Sequence, residues 1–451
     1  MRLKRTPKPV LYVLVSLALG GGNVLGQQGG VAVPADTPGS AGRESIRADS
    51  QKQEGPSAPL KYLVDQALER NPEIQSMARS FDMMRARIPQ ARALPDPMLE
   101  VGYLGNIVPI PPFDIQKGDP SSARMVSFSQ EIPFPGKRPL KEKMAAMSAE
   151  SEWWAYEQVR LNVVAEVKDA YFDLYYFTKA SEIVSKNKDL LEKFEKIAEA
   201  RYAVGRGIQQ DVLKAQVEIS KLIDQLTVLE QRRQTSVARL NSLLNRDPES
   251  PLGKSEEVQP QGFAVGLAEL RELALANYPS LKSQRRAIDR ERYGVQLAQK
   301  EFYPDFSVRF SYQNRPEMPD MYGVSIGVKL PLYFWQKQRP AVAEAAASAA
   351  AEEKRLENAT TLLFFKLKDK YLAAATAQRL VSLYGTTIIP QSSLSLESAI
   401  AGYEVGKVDF LTLLDNVVTL LNYELSYYEQ LSNVEKAVAA MEPLVGVKLR
   451  P

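Results

Sequence analysis

Leu63-Val64-Asp65-Gln66-Ala67-Leu68-Glu69-Arg70-Asn71-Pro72-Glu73-Ile74 is written a second time, about 207 residues on, as Leu270-Arg271-Glu272-Leu273-Ala274-Leu275-Ala276-Asn277-Tyr278-Pro279-Ser280-Leu281. At the same offset Pro97 meets Pro304, Val101 meets Val308 and Tyr103 meets Phe310. Lys168-Asp169-x-Tyr171 returns as Lys368-Asp369-x-Tyr371, and Tyr202-x-Val204-Gly205 as Tyr403-x-Val405-Gly406. The offset drifts only to about 200, so each half of the chain carries one copy of a long unit. Two units are too few for an open solenoid, which needs about three or more short ones to bury its core. The duplication points instead to a closed pseudo-symmetric object, completed by further subunits where one chain does not suffice.

Each copy runs through the same sequence of patterns. Leu60 to Leu94 has helical spacing, with Leu63, Ala67, Leu68, Ile74, Met77 and Phe81 on one stripe, until Pro95 and Pro97 stop it. Period-two alternation follows. Leu99, Val101 and Tyr103 oppose Glu100 and Gly102; past a Pro-rich turn region, Val126 and Phe128 oppose Ser127, Ser129 and Glu131. In the second copy Phe306, Val308, Phe310 and Tyr312 oppose Ser307, Arg309 and Ser311. Val324, Ile326 and Val328 then oppose Gly323, Ser325, Gly327 and Lys329. These are β-hairpins, expected at 98–132 and 305–333.

A basic turn (Lys137-Arg138-Pro139, and Lys337-Gln338-Arg339-Pro340) then opens a helical signal without glycine from Leu140 to Val204, and from Ala341 to Leu383. A 65-residue helix is about 100 Å long. Gly205 and Gly406 break the helices, and a second apolar seam returns in each copy, as a coiled-coil hairpin requires. Pro390 is expected to kink the second long helix. The expected helical hairpins span 136–245 and 338–440, within repeats 59–246 and 267–447 joined by a linker at 247–266.

Composition narrows the chemistry. The 451 residues include no cysteine and no histidine. That removes disulfides, Cys/His zinc sites and histidine-dependent catalysis. No carboxylate pair has motif-like context, so no enzyme and no cofactor is expected. Met1 to Gly26 reads as a signal peptide, whose apolar run, Val10 to Leu19, is too short to span a bilayer; an N-terminal anchor is the alternative. Residues 27–58, rich in Gly, Ser, Pro and Gln, read as a disordered leader. The full chain is +3, and loss of Arg2, Lys4, Arg5 and Lys8 with the signal leaves −1, which argues against nucleic acid as a partner.

Strands with an apolar face and a polar one fit a membrane barrel with a wet interior better than the edge of a soluble sandwich. Four strands leave open edges that lipid does not tolerate. Three chains would pool twelve strands, an even number in the known range, and their helices would extend the barrel into a tube. The expected fold is therefore mainly α with a membrane β-barrel, a homotrimer in contact with membrane lipid.

The duplicated Asn71-Pro72 and Tyr278-Pro279, the hairpins leading to Pro133 and Pro331, and the paired Tyr-x-Val-Gly turns resemble the TolC-like outer-membrane efflux proteins, from about Leu60 to Val447. Leu94-Pro95-Asp96-Pro97-Met98 and Gln130-Glu131-Ile132-Pro133-Phe134-Pro135-Gly136-Lys137 are most similar to the heavy-metal efflux branch. The resemblance implies a trimeric exit duct with an α-helical periplasmic tunnel. It also implies a periplasmic adaptor docked at the helical tips and an inner-membrane pump of the RND type. A multidrug-efflux or type I secretion outlet of the same family, and a periplasmic adaptor with a coiled-coil hairpin, are the alternatives.

Several residues stand out. Tyr202, Gly205, Gly207, Tyr403 and Gly406 lie where the helices must reverse, and are read as the adaptor-contact tip against a plain helix break. The resemblance places Asp211 and Asp415, with Asp409 as a further candidate, at a periplasmic gate. Each could equally be a solvated helix charge. Glu100, Glu131, Arg309 and Lys329 alternate onto the expected lumen face. The methionine pairs Met83/Met84, Met144/Met147 and Met318/Met321 are read as packing rather than as thioether ligands, so no metal site is expected.

Overall fold

A computed structural model describes residues 59–105, 120–253 and 255–450. The expected signal peptide and leader, and most of the first hairpin's turn, lie outside them. Among the described residues no helix is long and apolar enough to cross a membrane.

The helix expected over Leu60–Leu94 is two helices, α1 (Leu60–Arg70) and α2 (Pro72–Arg92). Asn71 ends one and starts the next. Its ψ of 124° leaves the helical region, and its side chain accepts from the amides of Glu73 and Ile74. Pro72 has no N–H to offer α1 and fits the first position of α2.

Strands β1 (Met98–Leu104) and β2 (Ala123–Ile132) come next. The long helix α3 (Lys137–Ala203) and its return α4 (Gln209–Leu243) complete the first copy. The second copy repeats the order as α5 (Leu267–Asn277), α6 (Pro279–Lys300), β3 (Asp305–Asn314), β4 (Met321–Lys329), α7 (Gln338–Leu383), α8 (Ile389–Glu404) and α9 (Phe410–Val445).

The hairpins join into one antiparallel sheet in the order β1-β2-β3-β4, with Phe128 opposite Phe310 at the boundary between copies. Among the described residues nothing covers its apolar face. Leu99 is 67% exposed, Val324 74% and Ile326 71%, an apolar patch of the kind that meets a membrane or a partner protein.

The arms of each helical hairpin prove unequal. α3 has 67 residues, or about 100 Å, whereas α4 has 35 and α9 has 36. The return helices cover only the end far from the sheet; the near half of α3 is covered by α1, α2 and α6. Apolar periodicity alone does not reveal this, because a helix offers the same stripe to one long partner or to several short ones.

The core follows the same division. One cluster fills the far half, from Ala180 and Leu191 to Leu413 and Leu425. Two further clusters, around Leu63 with Val167 and around Leu281 with Leu367, sit where the short helices meet the long ones.

Between these regions the second copy gains one residue. Lys168 and Lys368 stand 200 apart, but Gly205 and Gly406 stand 201 apart. The extra residue is absorbed as a π-helical turn at Tyr384–Ile388, just before Pro390. The proline expected to kink the helix lies just beyond this widened turn, and helix continues past it to Glu404. A π turn lets an inserted residue bulge without shifting the phase on either side. Buried positions accordingly match before it (Val163 with Leu363, Val167 with Leu367) and after it (Ala198 with Ala399).

The segment between α4 and α5 is laced to both long helices. The Glu256 amide donates to the Tyr171 hydroxyl at 2.8 Å and Lys179 pairs with Glu257 at 2.6 Å; the Phe263 amide donates to Gln378 at 3.1 Å.

Candidate functional site at the helical tip and the sheet face

Both helix reversals close in the same way. Gly205 (φ 69°) and Gly406 (φ 74°) take the left-handed conformation. The amides of Arg206 and Lys407 reach back to the carbonyls of Arg201 and Gly402, each at 2.8 Å. Glycine is favoured here because a Cβ is strained at positive φ. Gly207 has a different reason to be small: a Cβ on it would come 3.2 Å from the Tyr202 amide nitrogen.

Identical motifs do not give identical tips. Tyr202 is 49% exposed, whereas its counterpart Tyr403 is 5% exposed. Tyr403 packs edge-on against Phe410 and lies beneath the Arg201 guanidinium, 4.1 Å from its ring centre. Arg201 also donates to the carbonyls of Tyr403 at 2.6 Å and Glu404 at 3.1 Å. A guanidinium that stacks on a ring and bonds two carbonyls ties the first hairpin to the second.

Sequence reasoning treats Arg201 only as the edge of the turn. The available signal is a mismatch, because the second copy has Gly402 at the equivalent position, against which Val408 packs.

The three aspartates separate. Asp211 lies in the first turn of α4 and is partly buried; burial, and then the charge of Asp409, push its carboxyl above the ordinary value. Asp409 caps α9, accepting from the Thr412 amide at 3.2 Å, and Thr412 holds it below the ordinary value. Asp415 is exposed on α9; the carboxylate whose charge Asp211 feels is Asp409.

On the polar sheet face Glu100 accepts from the Ser127 hydroxyl at 2.9 Å and pairs with Arg309 at 3.2 Å. Lys329 stands opposite Asp305, and Glu131 opposite Ser307. The charges on this face therefore largely cancel within one chain.

At the foot of the sheet Lys137 is 2% exposed, bonded to Asp305 at 2.8 Å, Glu301 at 3.1 Å and the Tyr303 carbonyl at 3.3 Å. It joins α3 to the start of β3, a role that its place in a basic cluster does not disclose. Met83 and Met84 both turn their sulfurs to the Arg87 guanidinium, a poor setting for a cation.

The profile of the outer membrane efflux protein family matches residues 63–246 and 270–447, one span per copy. The chain belongs to this family. It is an outer-membrane efflux channel with a periplasmic extension.

The cobalt-zinc-cadmium resistance protein CzcC of Cupriavidus metallidurans is 24% identical over 382 residues, covering 83% of this channel and 87% of that protein. Solved structures share the fold. The outer-membrane channel OprN superposes with a TM-score of 0.74 at 18% identity, covering 87% of this chain and 91% of that one. CusC gives 0.74 at 16% identity over 86% and 92%. VceC of Vibrio cholerae gives 0.73 at 17% identity over 87% and 97%.

Proposed function

We propose that this channel is the passive exit duct of a tripartite heavy-metal efflux system. Three copies would pool their strands into one twelve-stranded barrel and their helices into one tunnel. The tips would dock a periplasmic adaptor coupled to an inner-membrane pump of the RND type. The observation that carries the metal assignment is the similarity to CzcC along most of both chains. The fold itself does not discriminate, since OprN, VceC and CusC superpose about equally well.

Trimerisation is supported by the two sheet edges, β1 and β4, which no strand among the described residues pairs and which lipid does not tolerate open. At the tips, Tyr202, Val204 and Val405 are exposed at 49%, 69% and 68%, an apolar rim suited to a protein partner. The gate is assigned to the Arg201 tie together with Asp211 and Asp409. Cargo passes without a tight site, so selectivity rests with the pump.

The test is a deletion strain challenged with zinc, cobalt, cadmium, copper and silver, and with a panel of dyes. Sensitivity confined to metals, restored by the intact gene, is the expected result. Sensitivity to dyes and detergents alone would move the protein to the drug outlets.

A further inference from the structure

The π turn of the second copy borders a cavity. Between the linker, α7 and α9 lies a space of about 410 Å3, bounded on one side by Gly385 and Thr386 of that turn. The volume is in the range of small-molecule sites, and π turns recur at functional positions. The first copy is built differently. Its α3 runs on without a π turn. Positions on α4 and α9 correspond at an offset of 201, the spacing of Gly205 from Gly406 and of Asn245 from Gly446 at the two ends. At that offset Leu431 and Val434, which line the cavity, stand where the first copy has Glu230 and Arg233, ion-paired at 2.8 Å.

The lining selects the ligand. Pro260, Val381, Leu431 and Val434 supply apolar walls, and none of the described residues around the cavity is charged. An ion would lose its hydration there without gaining a partner. Tyr427 adds an aromatic wall, on which a second ring can stack or meet edge-on. One hydrogen-bond donor is left over. The Phe263 amide donates to Gln378 Oε1 at 3.1 Å, which fixes which end of that side chain is oxygen. Its NH2 group has no partner among the described residues. Gly262 leaves that group uncovered, since a Cβ there would sit 3.4 Å from Nε2.

We propose that this cavity binds a small neutral aromatic molecule that carries a carbonyl group. The ring lies against Tyr427, and the carbonyl accepts from Gln378. A bound molecule touches the linker, the π turn and α9 together, so it ties the linker to the one stretch of the long helix that departs from α geometry. The site depends on neither the cargo nor the assembly proposed above.

Para-benzoylbenzamide, a photoreactive aromatic carboxamide, is the probe. Irradiated with the purified full-length channel, it should label the peptides holding Gln378–Thr386 and Tyr427–Val434, and excess benzamide should suppress that label. Two variants read the contacts. Gln378→Glu keeps an acceptor for the Phe263 amide but exchanges the free donor for a carboxylate oxygen, and should cut labelling by at least about ten-fold. Gly262→Leu, at an exposed position outside the left-handed region, should fill the entrance and abolish labelling. Equal labelling of the parent and both variants, or no label in those two peptides, would overturn the site. Peptides labelled in the purified channel but protected in whole outer membranes would show that a protein fills the cavity, and would overturn the small-molecule assignment.

Discussion

At the scale of single residues, Arg201 is the tie whose loss is easiest to read. Two carbonyl bonds and a stacked ring on a partly exposed guanidinium are together worth about 2 kcal/mol, or roughly a 30-fold change in an equilibrium. Arg201→Ala should therefore raise the open fraction in planar-bilayer recordings by about that factor, with helix content unchanged. Asp211 supplies a pH dependence. Its carboxyl is raised, first by burial and then by Asp409, so its ionised form opposes the packed tip. Packing is firmest when Asp211 is protonated and weakens as the pH rises through that raised value. Asp409 behaves oppositely: Thr412 holds it low, and its contribution disappears only in stronger acid. Conductance should fall as the pH drops from neutral into the carboxylate range. Asp211→Asn should abolish that fall and lower conductance at neutral pH, whereas a fall that survives the substitution would remove Asp211 from the gate. Lys137→Met would leave Asp305 and Glu301 without their buried cation, at about 3 kcal/mol, read as a lower midpoint of urea unfolding in detergent. The glycines of the tip are legible from sequence because positive φ selects residue type. Arg201 and Lys137 are not, because what they do depends on partners about 170 to 200 positions away.

At the scale of elements, the period-two strands and the long helices are readable from periodicity, and the sheet inherits its faces from that alternation. What periodicity misses is where one helix yields to two, at Asn71 and Tyr278, and how far a return helix extends. Both depend on which neighbour covers a stripe, and the stripe looks the same in every case. The π turn is the instructive element. Deleting Thr386 should return the segment to an ordinary α-helix with the phase intact on both sides, and the variant should assemble normally. Deleting Thr178 from α3, which has no π turn to give up, should rotate everything beyond it by about 100° and unseat Val184 and Phe194 from the core. Outer-membrane yield of the assembled protein compares the two directly. Equal yields would mean that the π turn does not hold the phase.

For the whole molecule, the duplication in the sequence already implies a closed assembly, and the fold shows which sides remain open. Because the charges of the polar sheet face largely cancel within one chain, this face is expected to weigh little in ion selectivity. Glu131→Gln and Lys329→Gln should each change cation-to-anion permeability less than about two-fold, while Asp211→Asn should change it more. The pairing of β2 with β3 has a further consequence in time. Phe128 leaves the ribosome well before Phe310, by about 10 to 40 s at ordinary rates of synthesis. Throughout that interval β2 is an apolar strand whose only native neighbour is β1, and any other nascent strand fits its free edge. The first hairpin therefore cannot complete its sheet until the second half arrives, and faster production should yield aggregate rather than more channel.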